Sequence, residues 1–174
     1  MDAAHFVHGA FLGCLWSCER LFVPSPSGRK RFNVLGALNA ITKEVVHVTN
    51  STYINSQSVC ELLLKLKRRV GEVPITVVLD NARYQACSCA KDYAEAIGVE
   101  LLFLPPYSPN LNLIERLWKY VKQKYLNSTY YPTFDVFCSA IKRALEPTKE
   151  NIQETESLLS LNFQSFANVK ISTV

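Results

Sequence analysis

With 174 residues the chain fits a single domain and can bury a core of its own, which excludes a short peptide ligand and a multidomain machine. Charged residues at 20% against hydrophobic ones at 48% are a globular balance and exclude a disordered tail, a coiled coil or a collagen-like rod. Nineteen Lys and Arg against fifteen Asp and Glu leave a formal charge of +4, which permits an acidic partner such as nucleic acid without requiring one.

In chain order, Ala3–Val7, Ala10–Trp16, Phe32–Asn39 and Val45–Thr49 read as short strands, separated by the turn-rich Pro24-Ser25-Pro26-Ser27-Gly28 and by Thr42-Lys43. From Asn55 the period changes: Val59, Leu62, Leu63, Leu66 and Val70 predict one apolar helix stripe with Gly71 as its stop. Ile75–Leu79 is a nearly continuous apolar run, as in a strand buried on both faces, and it ends in Asp80. A helix with Ala86, Ala90, Tyr93, Ala94 and Ile97 on one stripe follows, closed by Gly98, and then a second buried strand, Val99–Leu104. After the prolines at 105, 106 and 109, a helix from about Leu113 to Tyr125 turns Ile114, Trp118, Val121 and Tyr125 to the core. Phe134, Phe137, Ile141 and Leu145 mark another helix, closed by Pro147, and a weaker helix lies in the tail from Thr148. Antiparallel strands first and strand–helix alternation afterwards predict an α/β fold, a mixed sheet flanked by helices.

The six cysteines (Cys14, Cys18, Cys60, Cys87, Cys89, Cys138) are too sparse for a disulfide scaffold and lack paired C-x-x-C hooks, so thiols in a reducing compartment are expected. The apolar Ala10–Trp16 has no preceding Lys or Arg, which argues against a signal peptide, and no apolar run approaches the ~18–20 residues of a membrane span. A soluble, cytoplasmic protein with no membrane partner is the expectation.

Three carboxylates stand out by position: Asp2 at the start of the first strand, Asp80 closing the most apolar strand, and Glu115 opening the helix after the prolines. Groups at the carboxyl ends of central strands line the binding crevice of open α/β sheets, and a carboxylate there needs a charged or hydrogen-bonding partner. A hard divalent cation is one such partner. Each residue also has a plainer reading: Asp80-Asn81 as an Asx turn, Asn112 and Glu115 as a helix capping box, and Glu115, Lys119 and Lys122 as a solvated stripe.

The run from Val77 to Trp118, with Leu79-Asp80-Asn81, then LPPYSP, LN and IE-x-x-W in order and 34 residues between Asp80 and Glu115, closely resembles the catalytic core of mariner-superfamily transposases, specifically the IS-six-thirty group of bacterial insertion sequences. The opening MDAAHFVHGAFLGCLWS resembles the segment around that family's first catalytic aspartate. The resemblance implies a ribonuclease H-like fold over residues 1–147, a helical tail over 148–174, and an Asp2, Asp80, Glu115 triad holding two Mg²⁺ or Mn²⁺ ions. The implied activity is DNA strand cleavage and strand transfer by a bacterial cytoplasmic enzyme. Two metals so held can activate the attacking oxygen and stabilise the leaving oxygen of an in-line phosphodiester displacement.

Around the triad, Asn81 is a candidate support for Asp80 or for a metal-bound water. Arg29, Lys30, Arg31, Lys119, Lys122 and Lys124 are candidate phosphate contacts. Tyr107 is expected to pack in the core, and His5 and His8 to make local hydrogen bonds. DNA is the expected partner and a homodimer the expected assembly. Leu113 stands where the family most often has Pro, which is expected to loosen the helix start slightly. Family members carry helix-turn-helix segments upstream, so the chain reads as a truncated member, with Asp2 expected to fray at the chain end. The alternatives are an inactive remnant that folds without its DNA reader, or another nuclease on the same fold.

Overall fold

A computed structural model describes residues 1–9, 18–19, 22, 24, 26, 29–106, 108, 111–146 and 149–161, apart from the side chains of 149–153. The expected strand at Ala10–Trp16, as well as Tyr107 and Pro147, lies outside the described residues.

Alternation of small and large apolar residues builds an antiparallel sheet from β1 (Asp2–Val7), β2 (Arg31–Leu38) and β3 (Val45–Asn50), with β2 in the middle. Asp2 pairs with Gly36 and Val7 with Arg31, so every even-numbered side chain of β1 and β2 shares one face. The second ladder is parallel, β4 (Ile75–Leu79) beside β5 (Val99–Phe103), joined by the crossover that parallel strands require. Hydrogen bonding therefore divides the expected mixed sheet into two ladders, which meet where the Met1 amino group donates to the Val78 carbonyl.

The layers follow from which face each strand residue presents. Leu35, Ala37 and Val48, with Val77, Leu79 and Val99, pack under α1 (Ser56–Val70) and α3 (Ser88–Ala96). Ala4, Phe6, Phe32 and Val34 pack instead against α4 (Ile114–Val121) and α5 (Phe134–Leu145), joined by Leu159 just beyond α6 (Lys149–Leu158). The result is an α/β/α sandwich, and each fully buried Leu or Phe in it contributes roughly 1.5–3 kcal/mol.

Local chemistry sets the helix limits. Asn55 caps α1 in a capping box with Ser58, and Gly71 stops it at φ 74°, its N–H donating to the Lys67 carbonyl. Val70, expected on the core stripe, is 38% exposed at the last residue of α1, just before the stop at Gly71. The helix expected around Ala86 is broken into a single turn, α2 (Arg83–Ala86), and α3, with Cys87 extended between them (φ −71°, ψ 157°). The helix expected to run as α to Tyr125 changes at Lys122 to a π-helical turn, Lys122–Leu126, in which Asn127 N–H reaches the Lys122 carbonyl at 2.9 Å. The wider turn brings Leu126 rather than Tyr125 fully into the core beyond Val121.

The tail is fastened to this body. Arg116 donates to the Leu158 and Ser160 carbonyls, Glu154 takes the Tyr120 hydroxyl at 2.6 Å and pairs with Lys124, and Leu159 is 1% exposed. No described helix is long and apolar enough to cross a membrane.

Candidate active site

Asp2 opens β1 on the face shared with Ala4 and Phe6, so its side chain turns toward α4, and Trp118 Nε1 donates to its Oδ2 at 3.0 Å. The expected fraying is not found. The Met1 side chain is buried, its amino group is bonded to Val78, and its carbonyl accepts from Asn112 Nδ2 at 3.3 Å. Burial lowers the Met1 ammonium to a pKa of about 6, against the opposing pull of Asp2 and Asp80.

Asp80 follows the last residue of β4. Its Oδ1 accepts from Ala82 N–H at 3.1 Å, so the Asx turn does form, while the residue also lines an open cleft. Beneath it Gln85 of α2 is fully buried; with its amide nitrogen facing Asp80 it donates to Oδ1 at 2.6 Å and to the Asp80 carbonyl at 3.1 Å. The short α2 turn is what delivers Gln85 to this position. Asn81 also lines the cleft, its Nδ2 donating to the Leu104 carbonyl at 2.6 Å and tying the end of β4 to the end of β5.

Glu115 enters from the first turn of α4. The capping box does not form: Asn112 spends its side-chain amide on Met1, and its backbone carbonyl accepts from Glu115 N–H at 3.1 Å. Leu113 takes φ −56° without proline and is buried, so packing replaces ring geometry at the helix start. The Glu115 carboxylate is left to the wall of a cleft of about 340 Å³, shared with Asp80, Asn81, Ala82, Leu104, Pro105, Pro106, Ser108 and Asn112.

Asp2 and Glu115 each feel acidic neighbours. Burial raises the Asp2 carboxyl above its ordinary value and the charge of Asp80 adds to this, while the Ala3 N–H, the Trp118 indole and the Met1 ammonium oppose it. Burial likewise raises Glu115, with Asp2 and Asp80 adding and Lys119 opposing. Tyr84 is pushed up to about 12 by burial and by the charges of Asp80 and Asp2. Among the described residues, however, no three His, Cys, Asp or Glu side chains already stand as a group able to hold one metal ion.

The remaining candidates are spread out. Lys119 is exposed one turn beyond Glu115, and Lys122 is exposed in the π turn. Lys124 is paired with Glu154. Arg29, Lys30 and Arg31 are exposed at the far end of the β1–β2 ladder, about 17 Å along the strand from Asp2. His5 bonds Asn33 at 2.7 Å and buried His8 bonds the Tyr131 carbonyl at 2.9 Å, so both make local hydrogen bonds.

The α/β/α sandwich has the ribonuclease H-like fold, shared with solved transposase structures. The chain belongs to the DDE superfamily endonucleases, whose family model matches residues 19–138, a span that includes Asp80 and Glu115 and begins after Asp2. An uncharacterized protein, y4pE/y4sA, of Sinorhizobium fredii (strain NBRC 101917 / NGR234) is 26% identical over 84 residues, 48% of this chain and 60% of that protein. The Mos1 transposase paired-end complex with left transposon end shares the fold at a TM-score of 0.66 and 13% identity, over 91% of this chain and 51% of that one. The Mos1 transposase catalytic domain solved with raltegravir and Mg shares it at 0.53 and 11% identity, over 93% of this chain and 85% of that one. The chain thus spans about half the length of the Mos1 transposase and less than two thirds of the bacterial relative.

Sequence reasoning did not single out Gln85, and it assigned Trp118 to the core alone. Nothing in the local sequence marks Gln85, whose role depends on the break at Cys87. Trp118 did carry a signal: it is the tryptophan of IE-x-x-W, one turn from Glu115.

Proposed function

We propose that this chain is the catalytic domain of a mariner-like DNA transposase, cutting and joining phosphodiesters with a divalent metal. The observation that carries the reading is that Asp80 and Glu115 line one open cleft, with Asp2 near enough that the charge of Asp80 raises its carboxyl and its own charge raises Glu115. The donor chemistry fits Mg²⁺ or Mn²⁺: the acids offer hard oxygens, and His5 and His8 are engaged elsewhere. A preformed three-acid cage is not required, since Mg²⁺ keeps several waters and takes one or two carboxylates together with substrate phosphate.

When bound, two such ions would activate an attacking water or 3′-hydroxyl and stabilise the leaving oxygen of an in-line displacement. The protein's own residues do the positioning. Asp2, Asp80 and Glu115 are ligands rather than general acids, Asn81 braces the cleft floor, and Pro105 and Pro106 stiffen the connector that returns the chain to Glu115. Lys119 and Lys122 hold phosphates near the cleft, and Arg29, Lys30 and Arg31 hold them further along the duplex. The working form is a homodimer on DNA in the bacterial cytoplasm, with sequence recognition supplied from outside this domain.

The test is nicking of supercoiled plasmid by the purified chain in Mn²⁺, in Mg²⁺ and in EDTA. Ion-dependent nicking that Asp80→Asn abolishes is expected. Nicking that survives in EDTA or in Asp80→Asn overturns the reading, and Mn²⁺ binding without any nicking favours a folded remnant.

A further inference from the structure

We propose that Gly36 and Trp118 form a positioning unit that fixes the Asp2 carboxylate for metal binding. The inference rests on the reading of Asp2 as a metal ligand and goes beyond it by assigning the residues that aim it. Asp2 lies directly across the β1–β2 ladder from Gly36, and both face α4. A Cβ at position 36 would stand 2.9 Å from Trp118 Cη2, 3.2 Å from its Cζ2 and 3.2 Å from Ile114 Cδ1. The absence of a side chain on β2 is therefore what lets the indole lie against the strand and reach its neighbour.

The ring is held on a second side by Phe6, edge-on at 6.3 Å and 79°, and Trp118 is only 5% exposed. An indole N–H is a donor with no acceptor function, so the fixed ring presents one donor in one direction, and Asp2 Oδ2 receives it at 3.0 Å. Trp118 follows Glu115 by three residues on α4, so the helix that supplies one carboxylate also aims another. The two acids are thereby set relative to each other by a single rigid element. A tryptophan that only fills the core would satisfy its N–H on any nearby carbonyl and would need no glycine opposite the ligand.

The experiment measures Mn²⁺ affinity of the full chain by electron paramagnetic resonance, without DNA, alongside thermal melting. Trp118→Phe keeps an aromatic ring and removes the donor, and is expected to weaken Mn²⁺ binding by roughly 10- to 100-fold, the usual effect of losing a partner of a ligand, with little change in melting. Gly36→Ala keeps every donor but displaces the ring, and is expected to weaken binding in the same direction. The double variant should be no worse than Trp118→Phe, because both changes break one arrangement. Wild-type affinity in Trp118→Phe, or full additivity in the double variant, overturns the proposal while leaving the site standing. If Trp118→Phe does not fold, Gly36→Ala decides alone: reduced affinity supports the unit and unchanged affinity overturns it. A wild-type chain that binds no Mn²⁺ overturns the reading of the site and this inference with it.

Discussion

Gln85 and His47 are buried polar side chains with opposite fates. Gln85 finds Asp80, and its replacement by Leu leaves Asp80 Oδ1 with the Ala82 N–H alone. Gln85→Leu is expected to weaken Mn²⁺ binding by about 10-fold, at the lower end for a lost ligand partner, as read by isothermal titration. His47 finds nothing: its Nδ1 is buried with no hydrogen-bond partner among the described residues, and burial, aided by Lys65 and Lys142, lowers its pKa from 6.5. The fold therefore favours the neutral imidazole. Its stabilising share is complete above pH 6.5 and is lost as pH falls through that value toward the lower one of the folded state. His47→Phe should lose less melting temperature than the parent chain between pH 7.5 and pH 5.5; parallel losses would show that His47 does not drive the acid sensitivity.

At the scale of elements, two backbone features invite direct measurement. Gly71 stops α1 at φ 74° and ψ −132°, a region open essentially to glycine, and the space around its missing Cβ is empty. Gly71→Ala should therefore cost about 1–3 kcal/mol in urea unfolding through backbone strain alone. Leu126, turned inward by the π turn, should cost about 2–5 kcal/mol on replacement by Ala, and half-buried Tyr125 less. The same elements mark how far the sequence could be read. The strands β1 to β5 and the stop at Gly71 follow from alternation, apolar runs and glycine, which are local signals. The split at Cys87 and the π turn at Lys122 were not legible, because the contacts they accompany, Gln85 against Asp80 and Leu126 in the core with Val121, show no periodicity in the sequence and appear only in the folded chain. The three acids were visible as motif positions, whereas the donors to two of them, Trp118 to Asp2 and Gln85 to Asp80, come from separate elements and emerge only once the chain is folded.

For the molecule as a whole, the separation of charges divides the labour. Arg29, Lys30 and Arg31 cluster at one end of the β1–β2 ladder and Asp2 lies at the other, beside Asp80. Replacing the three cations with Ala should weaken DNA binding for every sequence alike and flatten its dependence on salt, read as the slope of log affinity against log salt, with Mn²⁺ affinity unchanged. A loss confined to one DNA sequence would instead make that end of the ladder a base reader. The central proposal is that Asp2 joins Asp80 and Glu115, which line one cleft, in holding a divalent cation. The most direct measurement is a crystal of the chain grown with Mn²⁺ and examined by anomalous scattering at the manganese edge. The predicted result is a peak between these three carboxylates, weaker or absent in Asp80→Asn; ordered manganese elsewhere on the molecule, with this cleft bare, would contradict it.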